Sequence, residues 1–130
     1  MSWDPNQHEM ESVLHLDGAE RYTYFVKKVA DQEKLWSLWN DGWVLASDDR
    51  GRELIPVWPH QKYAALCAED LWGGSVPKII ELEAWMGRWI AGAKRDARLI
   101  AVFPTREDRG VEVEPERLSA DLELELKNYE

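Results

Sequence analysis

The sequence predicts an α+β fold: a single domain in which helices pack on a mostly antiparallel sheet. Three apolar runs separated by turn residues predict adjacent strands within Lys34–His60, the stretch around which the chain is organised. Other stretches carry apolar residues at helical spacing, most clearly Leu82–Ala93. The resulting order, ααβββαβαββα, interleaves helices with hairpins instead of repeating βαβ units, which favours α+β over α/β.

Two helices are predicted at the N-terminus. Residues 1–17 form a weak helix in which Met10, Val13 and Leu14 share one face, and Asp17-Gly18 ends it. The second helix, over Ala19–Asp31, has a clearer apolar face. Its members are Tyr22, Phe25, Val26 and Val29.

A tryptophan-rich, three-stranded meander is predicted to follow. Its strands are Glu33–Trp39, Gly42–Ala46 and Glu53–Val57, joined by reversals rich in Asn, Asp and Gly. These residues tolerate the positive φ of tight turns, so the runs are expected to pair as hairpins. Trp58-Pro59-His60 ends the meander, because Pro cannot donate to a strand ladder.

The next segment alternates helix, strand and helix. A helix is predicted over Pro59–Leu71, and Val76–Glu81 is short and β-branched, which favours a strand. The clearest helical stripe then continues to about Ala97. Because Trp85 and Trp89 belong to this stripe, both are predicted to be core residues.

Two strands and a helix complete the chain. Leu99–Phe103 is continuously apolar, which is typical of a strand covered on both faces. The polar turn Thr105–Gly110 separates it from a short strand over Val111–Glu114. Pro115 opens the last helix, whose leucines recur every fourth residue.

Charge and composition narrow the classes of function. The net charge is −9, and no apolar run reaches the roughly 20 residues needed to span a bilayer. An acidic surface repels phosphates, so nucleic acids and membranes are not expected as partners. We expect a cytoplasmic protein.

Five segments resemble the bacterial family catalogued as domain of unknown function 2750. They are Arg21–Asp31 (RYTYFVKKVAD), Trp39–Ala46 (WNDGWVLA), Pro56–His60 (PVWPH), Tyr63–Ala68 (YAALCA) and Ile100–Thr105 (IAVFPT). The resemblance covers about Glu20–Glu130 and leaves the arm Met1–Gly18 outside. It implies a small, single-domain cytoplasmic protein, and it carries over no catalytic residue because the family has no assigned activity.

No catalytic, metal or cofactor site is predicted. His8 and His15 are seven residues apart, too far for the usual helical chelate, and His60 and Cys67 have the same separation. Cys67 is the only cysteine, so an internal disulfide is excluded. Its apolar helical setting predicts a buried, unreactive thiol.

The eight tryptophans therefore carry the functional hypotheses. The first is a non-enzymatic protein-binding or regulatory module, acting on a partner protein or as a homodimer. The second is a small-molecule cleft near Trp43, Trp58, His60 and Trp72, with His60 as general acid or base. The third is an acidic antagonist of a basic toxin or nuclease. Whether the Trp58-Pro59-His60 corner belongs to the core or to a site stays open.

Overall fold

The computed structural model describes residues 3–129 and begins with two helices. Helix α1 spans Gln7–Leu14 and helix α2 spans Gly18–Gln32. Each starts at a side-chain cap, since Asn6 accepts the amide of Glu9 and Asp17 accepts the amide of Glu20, both at 2.8 Å. Both predicted helices are present, although the N-terminal one is shorter than predicted. Residues 3–6 are not helical, the helix ends at Leu14, and residues 1–2 lie outside the described range.

The first strand, β1 (Lys34–Trp39), pairs with a distant partner. It forms an antiparallel two-stranded sheet with β4 (Val76–Glu81), in a register that places Leu35 opposite Ile80. Its other edge bonds to Trp58, with N–H···O distances of 2.9 and 2.8 Å in the two directions between Trp36 and Trp58. The strand is thus bonded along both edges.

This arrangement contradicts the predicted three-stranded meander. The backbone N–H and C=O groups of Trp36 are hydrogen-bonded to Trp58. Only the C-terminal end of this edge of β1 is therefore left to pair with the run of residues that follows the Asn40-Asp41-Gly42 turn. That run makes a single bridge, Trp39 to Trp43, and β2 is reduced to Ala46–Ser47. The two predicted reversals are present, and Ala46–Ser47 pairs with Glu53 and Leu54 as a hairpin. The long middle strand predicted over Gly42–Ala46 is not formed.

A four-stranded sheet, in the order β2-β3-β5-β6, lies beside this pair. Strand β3 spans Glu53–Val57, β5 spans Leu99–Val102 and β6 spans Val111–Val113. β3 and β5 are parallel, while the other pairings are antiparallel. The predicted α+β class with mostly antiparallel pairing is confirmed, and all four residues of β5 are buried as its apolar run predicts.

The remaining helices cover these strands. Helix α3 spans Gln61–Ala68 and helix α6 spans Pro115–Leu126, ending in a 3₁₀ turn over Lys127–Tyr129. Residues 82–95 form one composite helix, made of α4 (Leu82–Ala84), a π-helical segment (Trp85–Trp89) and α5 (Ile90–Arg95). Within residues 3–129, no helix is both long enough and apolar enough to cross a membrane.

Candidate functional site

Two tryptophans, Trp43 and Trp89, pack against each other and together line one side of an open groove of about 660 Å³. Their ring centroids are 4.8 Å apart and the rings are nearly perpendicular, at 84°. This is the edge-to-face geometry that aromatic pairs favour. We call the site the Trp43–Trp89 groove. Its other lining residues are Leu45, Ile55, Arg88, Gly92, Ala93, Asp96 and Arg98.

The π-helical segment of the composite helix positions Trp89. The amide of Ile90 donates to the carbonyl of Trp85, five residues back, which defines the wider turn. Trp85 is fully buried and stacks on Trp89 at 5.6 Å and 26°. The core prediction is therefore confirmed for Trp85, whereas Trp89 packs against the core but is only half-buried and also lines the groove. Such segments occur frequently at functional sites.

The rim of the groove carries two arginines and one aspartate. Arg98 is paired with Asp96 at 3.3 Å and with Glu53 at 3.1 Å. Arg88 is exposed and forms no ion pair with any carboxylate among residues 3–129. Among the described residues, the groove thus offers a guanidinium without an ion-pair partner beside two indoles, on a chain whose net charge is −9.

Two glycines of the composite helix differ in their relation to the groove. Gly92 lines it, whereas Gly87 does not. A Cβ atom on Gly92 would meet only the Arg95 guanidinium, at an ordinary 3.6 Å, and one on Gly87 would meet nothing within 4 Å. Neighbouring atoms would therefore tolerate a Cβ atom at either position. At Gly92, the lack of a side chain leaves the groove open.

Of the predicted site residues, Trp58 and Trp72 are brought together away from the groove. Their rings lie 5.9 Å apart in an edge-to-face contact. Trp58 is fully buried, and its indole N–H donates to the carbonyl of Pro104 at 2.8 Å. Trp72 borders a separate depression of about 500 Å³ beside the loop after β5.

His60 lies elsewhere, beneath the N-terminal arm. It is only 8% exposed, and the Trp3 ring stacks edge-on against it at 5.2 Å. Its Nδ1 accepts the amide of Lys62 at 3.1 Å and so caps α3, while Nε2 lies 3.6 Å from Asp4. Burial lowers the pKa of His60, and the nearby Asp4 carboxylate only partly offsets this. Both ring nitrogens therefore face protein groups, and among the described residues the depression of about 480 Å³ that His60 lines is bordered by neither Trp43 nor Trp72.

Another cavity, of about 680 Å³, lies between α1, α3 and the loop after β5. Cys67 lines it, is 2% exposed and donates to the Pro104 carbonyl at 3.4 Å. Burial raises the pKa of this thiol to about 11, so it stays protonated at neutral pH. The predicted burial of Cys67 is confirmed. No group of three or more potential metal ligands is assembled within residues 3–129.

The chain belongs to the family described as "Protein of unknown function (DUF2750)", whose model matches residues 22–122. No curated protein and no solved structure matches the chain. All residues that line the Trp43–Trp89 groove lie within the matched region, whereas one wall of the 680 Å³ cavity comes from α1, outside it. The groove is therefore the better candidate for a site that the family shares.

Sequence reasoning found one residue of the groove, Trp43, and missed the rest. Trp89 follows the apolar stripe, which predicts a core residue, and the apolar spacing carries no sign that its ring is only half-buried and lines the groove. One signal was available in the sequence. Two glycines, Gly87 and Gly92, interrupt a helix without ending it, and such glycines often have a packing or functional reason.

Proposed function

We propose that this protein is a non-enzymatic binding module and that the Trp43–Trp89 groove receives a short segment of a partner protein. The observation that carries the proposal is the pair of perpendicular indoles, 4.8 Å apart, in an open groove of about 660 Å³. Small-molecule sites bury most of their ligand, whereas an open groove suits a chain that enters and leaves at its ends.

The composition of the groove supports a protein ligand. Tryptophan and arginine are the residue types most enriched among side chains that dominate binding energy at protein interfaces. Here two tryptophans in contact line the groove, and Arg88 and Arg98 lie on the rim. An apolar or aromatic side chain of the partner would lie in the groove and pack against this indole pair.

The charges of the rim indicate what should flank that side chain. Arg98 is already paired with Asp96 and Glu53, but Arg88 is free among the described residues. A carboxylate on the partner would form a charge-assisted hydrogen bond with Arg88. We therefore propose a segment in which an acidic residue lies close to an apolar or aromatic one.

Selection from a random peptide library on the folded protein tests this proposal. We expect the enriched peptides to combine an aromatic or large aliphatic residue with Asp or Glu. Gly92→Leu fills the groove and should weaken their binding at least tenfold, and Arg88→Glu should do the same by repelling the carboxylate. Gly87→Leu, the same substitution on the same helix but away from the groove, is the matched control and should bind as the parent does.

Two outcomes would overturn the proposal. Enriched peptides that bind Gly92→Leu and Gly87→Leu equally would place their site elsewhere. If the parent chain is instead a dimer in light scattering and Gly92→Leu makes it monomeric, the groove holds a second copy of this chain rather than an acidic peptide.

A further inference from the structure

Next to the groove, two tryptophan rings contact the ammonium group of a lysine of the same chain. The Lys78 ammonium lies 3.6 Å from the centroid of the Trp39 ring and 5.2 Å from that of Trp43. The two rings are 5.2 Å apart and almost perpendicular, at 88°. We call these three side chains the Lys78 corner.

The strand register builds this corner. On the β1–β4 ladder Lys78 is opposite Ser37 and Val76 is opposite Trp39, so Lys78 and Trp39 are diagonal neighbours on one face of the sheet. The turn after β1, with positive φ at Asp41 and Gly42, returns the chain so that Trp43 bridges to Trp39. Two indole faces from one reversal therefore meet a cation from another strand.

Among the described residues, the cation–π contacts with the two indoles are the interactions that hold the Lys78 ammonium, and no ion pair adds to them. The chain has 25 acidic and 16 basic residues, yet Lys78 forms no ion pair with any carboxylate within residues 3–129. The residue is exposed, and cation–π contacts at exposed positions are weak. A competing cation can therefore displace Lys78 without disturbing the fold.

We propose that the Lys78 corner is a binding site for small alkylammonium ions, with Lys78 as its displaceable occupant. Indole faces set at an angle are the arrangement by which proteins recognise quaternary ammonium groups, because the ring faces are negative and the methyl groups of the ligand contact them closely. Lys78 satisfies the corner in the free protein and competes with the ligand. This proposal does not rest on the partner segment proposed above, although both sites use Trp43.

Titration with tetramethylammonium chloride tests the proposal, with the indole N–H signals of the full chain followed by NMR and sodium chloride added to hold ionic strength constant. Lys78→Gln removes the competing charge and should bind the probe about two- to fivefold more tightly than the parent. Lys27→Gln, an exposed lysine on α2, removes the same charge elsewhere and should leave the affinity unchanged. Trp39→Phe keeps an aromatic side chain with a weaker ring face and should weaken binding in the Lys78→Gln background.

The proposal fails if Lys78→Gln shows no saturable shift of the Trp39 and Trp43 signals. It also fails if Lys78→Gln and Lys27→Gln gain affinity equally, since that result would report net charge alone. Thermal unfolding of each variant verifies that the titrated protein is folded. The titration does not test the peptide proposal, because tetramethylammonium has none of the groups by which the acidic peptide would bind. Failure of peptide binding at the groove would therefore leave these outcomes unchanged.

Discussion

The return from β5 to β6 depends on one residue, Gly110. Its φ is +83°, and a Cβ atom there would lie 2.6 Å from the carbonyl oxygen of Val102. Asp108 stabilises the same loop, since it accepts the amide of Gly110 at 2.7 Å and pairs with the buried Arg21 at 2.9 Å. Burial acts to raise the pKa of Asp108, but the hydrogen bonds from Gly110 and Arg21 outweigh it and lower the pKa. The loop therefore needs glycine for steric as well as conformational reasons.

Replacement of this glycine should be among the most damaging single changes in the chain. We expect Gly110→Ala to lower the free energy of unfolding by about 3 kcal/mol, because the methyl group forces the backbone of β5 to move. Gly51→Ala is the matched control, since Gly51 has a similar φ of +78° with nothing within 4 Å of its Cβ position. It should cost only about 1 kcal/mol, from backbone strain alone. Urea unfolding of both variants measures the difference, and equal losses would contradict the steric explanation.

The composite helix shows how an element combines stability with a site. Trp89 is the last residue of its π-helical segment and packs against the core while lining the groove, and Gly92 lines the same groove without a side chain. A glycine inside a helix is less favourable than alanine by roughly 0.5–1 kcal/mol, owing to its greater freedom in the unfolded chain. The helix therefore gives up some stability where it lines the groove.

Gly92→Ala should recover that stability. The added methyl group would meet only the Arg95 guanidinium at 3.6 Å, so we expect the free energy of unfolding to rise by about 0.5–1 kcal/mol. Denaturant unfolding with fluorescence detection measures it. A loss of stability would show that Gly92 is required for packing, and the functional explanation of this glycine would then be wrong.

The sequence predicted the elements better than their partners. Apolar spacing located every helix and most strands, because a period of 3.6 or 2 is a local property of the chain. It assigned β1 to the wrong neighbour, because a strand pattern states which face is apolar but not which distant segment pairs with it. The same limit applies to the candidate site: the high tryptophan content draws attention to Trp43, while Trp89 and Arg88 approach it only through the fold.

Among residues 3–129, four titratable groups have a lowered pKa. Burial lowers the pKa of His60, and a hydrogen bond from Lys62 lowers that of Asp4. For Asp48 and Asp108 burial acts in the opposite direction, but hydrogen bonds from Arg52 and Arg50 to Asp48, and from Gly110 and Arg21 to Asp108, outweigh it and lower the pKa. Each group binds protons more readily when the chain is unfolded. Stability is therefore greatest above the unfolded-state pKa values and is lost as pH falls through the folded-state values.

His60 should dominate the upper part of that pH range, because an unfolded histidine has a pKa near 6.5. We expect the free energy of unfolding to fall as pH is lowered from 7 to 5, and to fall less steeply in His60→Asn. Asparagine retains an acceptor for the α3 cap, and His15→Asn, an exposed position on the first turn after α1, is the control. Urea unfolding at several pH values measures the slopes. Equal slopes for His60→Asn and the parent would exclude His60 as the source.

The parallel pairing of β3 with β5 has a consequence for synthesis on the ribosome. β3 is translated about forty residues before β5, which at roughly 5–20 residues per second is a wait on the order of seconds. β1 waits similarly for β4, because that strand lies in the same intervening segment. During this interval one edge of β1 and one edge of β3 have no partner strand, and these strands carry Leu35, Leu38 and Val57, which are fully buried in the finished fold. The nascent chain therefore presents an apolar, strand-forming segment to the cell for seconds before either sheet can close.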